Sequence, residues 1–171
     1  MNVRAGEEGT IGTGPKTFYI DTGASGTIVK HLSDAEVQSA LKTLRDRVAS
    51  VDKVQFAYIH GSFLEPYPSH DLDLALYLHD MSEEEKLNLC LELSSRLGRE
   101  TGLPVDVHPI DPEHLGLCFD IIRGLLIFSR NDKLQEEFQE KTILRYMDYR
   151  PLLKQVLLDL AGNPGETAKL L

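Results

Sequence analysis

One stretch of the sequence decides the fold, and it reads HGSFLEPYPSHDLD over residues 60–73. It joins two segments that the residue pattern predicts to be β-strands. The first covers residues 54–59 and is rich in apolar and aromatic residues. The second, Leu72–Leu78, has a leucine at every second position, so its leucines share one face of the strand. Asp71 and Asp73 then lie on the opposite face, with Cα atoms about 7 Å apart.

The paired aspartates Asp71 and Asp73 predict a metal site. Two carboxylates of one sign are stable side by side only with a cation or a proton between them. Mg²⁺ is the simplest such cation, because it is a hard ion that prefers oxygen ligands. The segment therefore carries a chemical function as well as a strand.

A third carboxylate, Asp106, lies in a short predicted strand over residues 103–110. Val105 and Val107 face one way, and Asp106 and His108 face the other. Aspartate disfavours strands, so the position of Asp106 is explained if it faces the same metal site as Asp71 and Asp73. The alternative is that Asp106 is a solvated carboxylate on an edge strand. We interpret His108 as a histidine that lies at the surface or behind the metal ligands.

Composition limits the classes of function. A chain of 171 residues with 42% hydrophobic and 26% charged residues is typical of one globular domain. A net charge of −9 without a basic stripe argues against nucleic-acid binding and favours a protein or small-molecule partner. The sequence has neither an apolar run of the roughly 20 residues that a membrane helix needs nor an apolar signal core, so we expect a cytoplasmic protein without membrane contact. Cys90 and Cys118 are predicted to be buried free thiols.

The rest of the chain predicts alternating helices and strands. Capping boxes at Ser33 and Ser82 each begin an amphipathic helix. Asp111 is predicted to cap a third helix, with a proline at its first position, before a short strand over residues 125–128. The final stretch, from Asp132 to about residue 160, is predicted to be helical, with a kink or a new helix at Pro151.

Three regions are expected along the chain. Residues 1–30 form an N-terminal arm or hairpin, residues 31–162 form the main domain, and residues 163–171 form a flexible tail. The arm contains Asp21-Thr22-Gly23-Ala24, which resembles the catalytic turn of retroviral-type aspartic proteases. That activity needs two such aspartates sharing a proton, and one copy is present. We therefore interpret the turn as the loop of a hairpin, whose exposed edges would allow a homo-oligomer.

The main domain resembles the minimal nucleotidyltransferases of the polymerase-β-type superfamily. The resemblance rests on Gly61-Ser62, on Asp71-Leu72-Asp73, on Val105-Asp106-Val107 and on the segment around Gly124. It covers roughly residues 33–160 and implies an α/β (α+β) fold with a small mixed sheet flanked by helices and with C-terminal helices. It also implies nucleotidyl transfer from ATP with Mg²⁺, usually two ions.

The resemblance also implies roles for the individual residues. Gly61 and Ser62 would bind the nucleotide phosphates, and Asp71, Asp73 and Asp106 would be the metal ligands and catalytic residues. Family members often act as antitoxins of small helical HEPN ribonuclease toxins, and some transfer AMP to a toxin tyrosine. The implied partner is thus a HEPN toxin, whose hydroxyl group accepts AMP.

The chain departs from the family pattern between Gly61-Ser62 and Asp71-Leu72-Asp73. Eight residues separate the two motifs, including Pro66 and Pro68 and no glycine, where the family usually has ten. Prolines remove N–H donors from a segment that would otherwise contact phosphate. A non-catalytic antitoxin, which blocks its toxin through complex formation with the same fold, is therefore the alternative function.

Overall fold

A computed structural model of the protein describes residues 16–22 and 26–162. The expected tail over residues 163–171, the first 15 residues and Gly23-Ala24 of the protease-like turn lie outside the described residues. The strands of the main sheet are β3 (Val54–His60), β4 (Leu72–Leu78), β5 (Val105–Pro109) and β6 (Leu125–Ser129). Their order is β5-β4-β3-β6, with β3 antiparallel to β4 and β6 and with β5 parallel to β4. The predicted mixed sheet is confirmed.

Helices cover both faces of this sheet. On one face α1 (Asp34–Ala49) and α2 (Glu83–Thr101) pack against the leucine side of β4, where Leu72, Leu74 and Leu76 are wholly buried. On the other face α3 (Leu115–Ile122) and α4 (Asp132–Gly162) pack against an apolar cluster that includes Phe56 and Ala75. Within the described ranges, no helix is long and apolar enough to cross a membrane.

The first two helices begin as the sequence predicts. Ser33 and Ser82 are the N-caps, and each forms a complete capping box with the glutamate three residues on. Helix α2 ends at Gly102, which adopts a left-handed conformation with φ of 64° that glycine tolerates without steric cost. Local sequence chemistry is therefore sufficient to set these boundaries.

The prediction that Asp111 caps α3 is wrong. The helix begins at Leu115 after His114, and no side chain caps its first turn. Asp111 instead forms a local turn, in which its Oδ1 accepts a hydrogen bond from the backbone N–H of Glu113 at 3.0 Å. An aspartate before a proline favours such a turn as readily as a helix N-cap, and here the turn forms.

Helix α4 continues through Pro151 to Gly162, so a second helix does not begin at the proline. The side chains over residues 143–156 of this helix are largely exposed, including Leu144, Met147 and Leu152. The sequence predicted a helical stretch from Asp132, and that part of the prediction is confirmed.

The predicted N-terminal hairpin is present, as β1 (Lys16–Asp21) paired antiparallel with β2 (Thr27–Leu32). Phe18 is wholly buried and Leu32 is 4% exposed, and both belong to the core cluster beneath α1 and α2. The hairpin is thus packed into the main domain, which we did not expect of an arm. The boundary at residue 30 stays a prediction.

Candidate active site

A row of polar side chains crosses three strands of the sheet at one level. In the strand register, Asp73 of β4 lies opposite His60 of β3 on one side and opposite Asp106 of β5 on the other. Residues that lie directly opposite one another in neighbouring strands project from the same face of the sheet, so His60, Asp73 and Asp106 share one face. The sequence predicted that Asp73 and Asp106 would come together, and the register places them side by side.

Gly61 begins a short 3₁₀ helix over Gly61–Leu64 and packs directly against Asp73. Its φ is 74°, and a Cβ at this position would lie 2.2 Å from Oδ2 of Asp73. A side chain at residue 61 would therefore displace the carboxylate as well as strain the backbone. Ser62 follows with an exposed side chain, and its carbonyl accepts the N–H of Glu65 at 3.0 Å.

Asp71 lies two residues before Asp73, at the entry to β4. The N–H of Leu72 donates to the carbonyl of Pro104 at 2.9 Å, which ties this entry to the start of β5. An open cleft of about 540 Å³ lies there, and its lining includes both Asp71 and Asp106. Helix α2 supplies the other wall with Ser94, Ser95, Gly98 and Arg99. Asp71 and Asp106 thus face a space that is open to solvent.

The carboxylates repel one another electrostatically. Partial burial raises the pKa of Asp73, and the nearby Asp71 and Asp106 raise it further. Among the described residues, none of the three carboxylates forms an ion pair with a lysine or arginine. An added cation would relieve this repulsion.

The oxygen donors of this site are chemically suited to Mg²⁺. In the part of the chain that the structure describes, however, no three acidic, histidine or cysteine side chains converge on a common point that could hold an ion. Asp71, Asp73 and Asp106 stay predicted metal ligands, and Gly61 and Ser62 stay predicted nucleotide contacts.

A pair of histidines lies beside the carboxylates, and the sequence did not predict it. Nε2 of His60 and Nε2 of His108 are 2.8 Å apart, so one ring donates and the other accepts. Burial, and then the neighbouring His108, lower the pKa of His60 to about 4. The available signal was the strand alternation that places His108 on the face of Asp106, but the partner strand could not be identified from spacing alone.

The sequence pattern of one protein family matches the chain. It is the family of polymerase beta nucleotidyltransferases, and the match spans residues 42–133 of the 171 residues. The chain belongs to this family. The matched segment contains Gly61-Ser62 and all three carboxylates of the site, so the predicted family and the fold that it implied are confirmed. No curated protein sequence matches the chain.

Solved structures with a similar fold come from toxin–antitoxin complexes. One is a chain in the complex of tri-AMPylated Shewanella oneidensis HEPN toxin with MNT antitoxin, at 19% identity and a TM-score of 0.54, covering 71% of this chain and 98% of that one. Another is a chain in the MntA–HepT complex, at 20% identity and a TM-score of 0.52, and the match covers 75% of this chain and 99% of that one. A third chain, from a toxin–antitoxin structure with AMP-PNP, is 19% identical with a TM-score of 0.52, and the match covers 76% of this chain and 99% of that one. At these identities the likeness shows the fold.

Proposed function

We propose that this protein is the antitoxin of a HEPN-type toxin and silences it by transferring AMP from ATP to a toxin hydroxyl group, most simply that of a tyrosine. The observation that carries the proposal is the row of Asp73 and Asp106 beside Gly61-Ser62, in a member of the nucleotidyltransferase family. Structural relatives of similar fold include an MNT antitoxin bound to an AMPylated HEPN toxin and a complex with AMP-PNP.

The proposed reaction is an in-line displacement at the α-phosphorus of ATP. The acceptor oxygen forms a bond to that phosphorus, the bond from the α-phosphorus to its bridging oxygen breaks, and pyrophosphate leaves. The Asp106 carboxylate accepts the hydroxyl proton, since it is exposed and lies next to Asp73 in the strand register. Gly61 and Ser62 hold the phosphates, because both residues are exposed at the start of the 3₁₀ helix and Gly61 lies beside Asp73.

Asp71, Asp73 and Asp106 would hold Mg²⁺. When bound, the metal would offset the charge of the triphosphate and stabilise the attacking and leaving oxygens. The raised pKa of Asp73 supports this role, because partial burial and then the neighbouring Asp71 and Asp106 disfavour its negative charge, which a bound cation would stabilise.

A non-catalytic antitoxin is the second candidate function. The shortened loop with Pro66 and Pro68 and the absence of a convergent ion site among the described residues favour it. In this alternative the protein blocks the toxin through complex formation and transfers nothing.

Incubating the purified protein with its HEPN partner, ATP and Mg²⁺, followed by intact mass measurement, separates the two functions. We expect the partner to gain one or more AMP units. Asp73→Asn should abolish the gain, and Asp52→Asn is the matched control, because Asp52 is an exposed aspartate before β3, at the opposite end of that strand from His60.

A complex that forms without any mass gain would favour the non-catalytic antitoxin. Failure to form a complex and to transfer AMP would overturn both candidates. Transfer that persists in Asp73→Asn would refute the assignment of the site.

A further inference from the structure

The N-terminal hairpin is fastened to the loop that connects Gly61-Ser62 with Asp71. Near the start of this loop, Nζ of Lys16 donates a hydrogen bond to the carbonyl of Glu65 at 2.8 Å. The rings of Phe18 and Phe63 pack with centroids 5.9 Å apart, and both side chains are wholly buried. Strand β1 therefore holds the loop directly after the predicted phosphate contacts.

The same strand holds the far end of the loop through its backbone. The N–H of Tyr19 donates to the carbonyl of Ser69, and the N–H of Ser69 donates to the carbonyl of Thr17, both at 2.9 Å. Phe18 and Ser69 thus form a short parallel bridge. Side chains add to it, since the rings of Tyr19 and His70 lie 5.9 Å apart. Both ends of the loop are attached to one strand.

The attached loop contains Pro66 and Pro68, which cannot donate backbone hydrogen bonds. The family match begins at residue 42, so the hairpin lies before the matched segment. A loop in which two residues lack an N–H donor is thus held by an element outside that segment.

Lys16 is the most informative of these contacts. It is 7% exposed although it is charged, and its ammonium group lies 5.6 Å from the centroid of the Phe63 ring. Burying a charge costs free energy unless hydrogen bonds and neighbouring charges compensate for it. Here the compensation comes from the Glu65 carbonyl and from the negative charge of the Glu65 side chain, so the ammonium group fixes the backbone where the 3₁₀ helix ends.

We infer that the β1–β2 hairpin is a working part of the nucleotide site and that Lys16 is a positioning residue that holds the Gly61–Glu65 backbone for phosphate binding. The inference rests on the proposed function, because it assumes that this loop binds a nucleotide. It differs from that proposal in assigning a role in nucleotide affinity to residues outside the family match.

The test is calorimetric binding of AMP-PNP with Mg²⁺ to the full chain and to single variants. Lys16→Met should weaken binding roughly tenfold, within the range of coupling free energies between linked sites. Lys16→Arg should restore much of the affinity, since it can still donate to the Glu65 carbonyl. The matched control is Lys30→Met, because Lys30 lies on the same hairpin and donates to a carbonyl away from the loop, that of Gly102, at 2.9 Å.

The outcomes separate the two proposals. If the unaltered protein does not bind AMP-PNP, the proposed function fails and the inference falls with it. If the unaltered protein binds and Lys16→Met binds equally well, the inference alone is overturned. An equal loss of affinity in Lys30→Met would overturn the assignment of Lys16 as the positioning residue, because the effect would then reflect general weakening of the hairpin.

A second measurement needs no variant and covers the case in which Lys16→Met fails to fold. Coupling is reciprocal, so a nucleotide that is held by the positioned loop must stabilise docking of the hairpin. The Tyr19 amide reports this docking, because it donates to Ser69 across the junction. Saturating AMP-PNP should slow its hydrogen exchange about tenfold. Unchanged exchange in the saturated protein would refute the coupling.

Discussion

Replacing Gly61 by alanine should damage the site more than the change of one methyl group suggests. The φ of 74° at this residue costs a non-glycine residue about 1–2 kcal/mol. The new Cβ would also lie 2.2 Å from Oδ2 of Asp73, so the carboxylate must rotate, which costs about 0.5–1.5 kcal/mol. Together the backbone strain and the rotation predict a loss of about 1.5–3.5 kcal/mol in the free energy of unfolding.

Gly26 offers a matched control for the free-energy cost of a positive φ at a residue other than glycine. Its φ is 92°, but a Cβ there would have no atom within 4 Å. Gly26→Ala should therefore cost only the backbone strain of about 1–2 kcal/mol. In the Asp73→Ala background, Gly61→Ala should become as mild as Gly26→Ala, because the carboxylate that the Cβ meets is gone.

Urea unfolding followed by circular dichroism measures these differences. In thermal unfolding the melting temperature of Gly61→Ala should fall by about 3–14 °C. Titration of the same samples with Mg²⁺ and AMP-PNP should show weaker binding in Gly61→Ala and unchanged binding in Gly26→Ala. Equal stability losses in the two single variants, or a loss at Gly61 that persists without Asp73, would refute the packing argument.

Three further predictions concern the histidine pair, the carboxylates and the hairpin. Because the pKa of His60 is lowered from 6.5 to about 4, the folded protein binds this proton less readily than the unfolded chain, so the free energy of unfolding should fall as the pH drops from 6.5 to 4. Urea unfolding at a series of pH values measures this fall, and in His60→Asn the free energy of unfolding should change less between pH 6.5 and pH 4. An unaltered pH profile would contradict the assignment. Asp73→Asn should raise the free energy of unfolding at neutral pH in the absence of Mg²⁺, since a partly buried carboxylate with a raised pKa is removed. Calorimetry should show that this variant no longer binds Mg²⁺, and retained binding would exclude Asp73 as a ligand. Phe18→Ala should lower the free energy of unfolding by about 3–5 kcal/mol, whereas the partly exposed Tyr19→Ala should cost far less; a loss below 1 kcal/mol at Phe18 would show that the hairpin is dispensable.

The histidine pair and the docked hairpin show where reasoning from the sequence stops. Each partner in these contacts lies far along the chain from the other, 48 residues apart for His60 and His108 and 49 for Lys16 and Glu65. Spacing along the chain predicts which side of a strand a residue faces, but it does not say which strand lies next to it. The short apolar runs of the hairpin predict an arm, although Phe18 and Leu32 anchor it in the core.

The sequence by itself determined the elements and the chemistry of this protein. Alternating leucines specified β4 and capping boxes specified the starts of α1 and α2, because each of these signals lies within a few residues. Gly61-Ser62, Asp71-Leu72-Asp73 and Val105-Asp106-Val107 indicated the family, since each is a short motif that can be recognised without knowing its neighbours in space. Only the tertiary structure decided the strand order that brings His60, Asp73 and Asp106 into one row, and the docking of β1 on the loop. Those contacts depend on which elements, far apart in the sequence, bury their apolar surfaces against one another, and no local pattern in the chain specifies this.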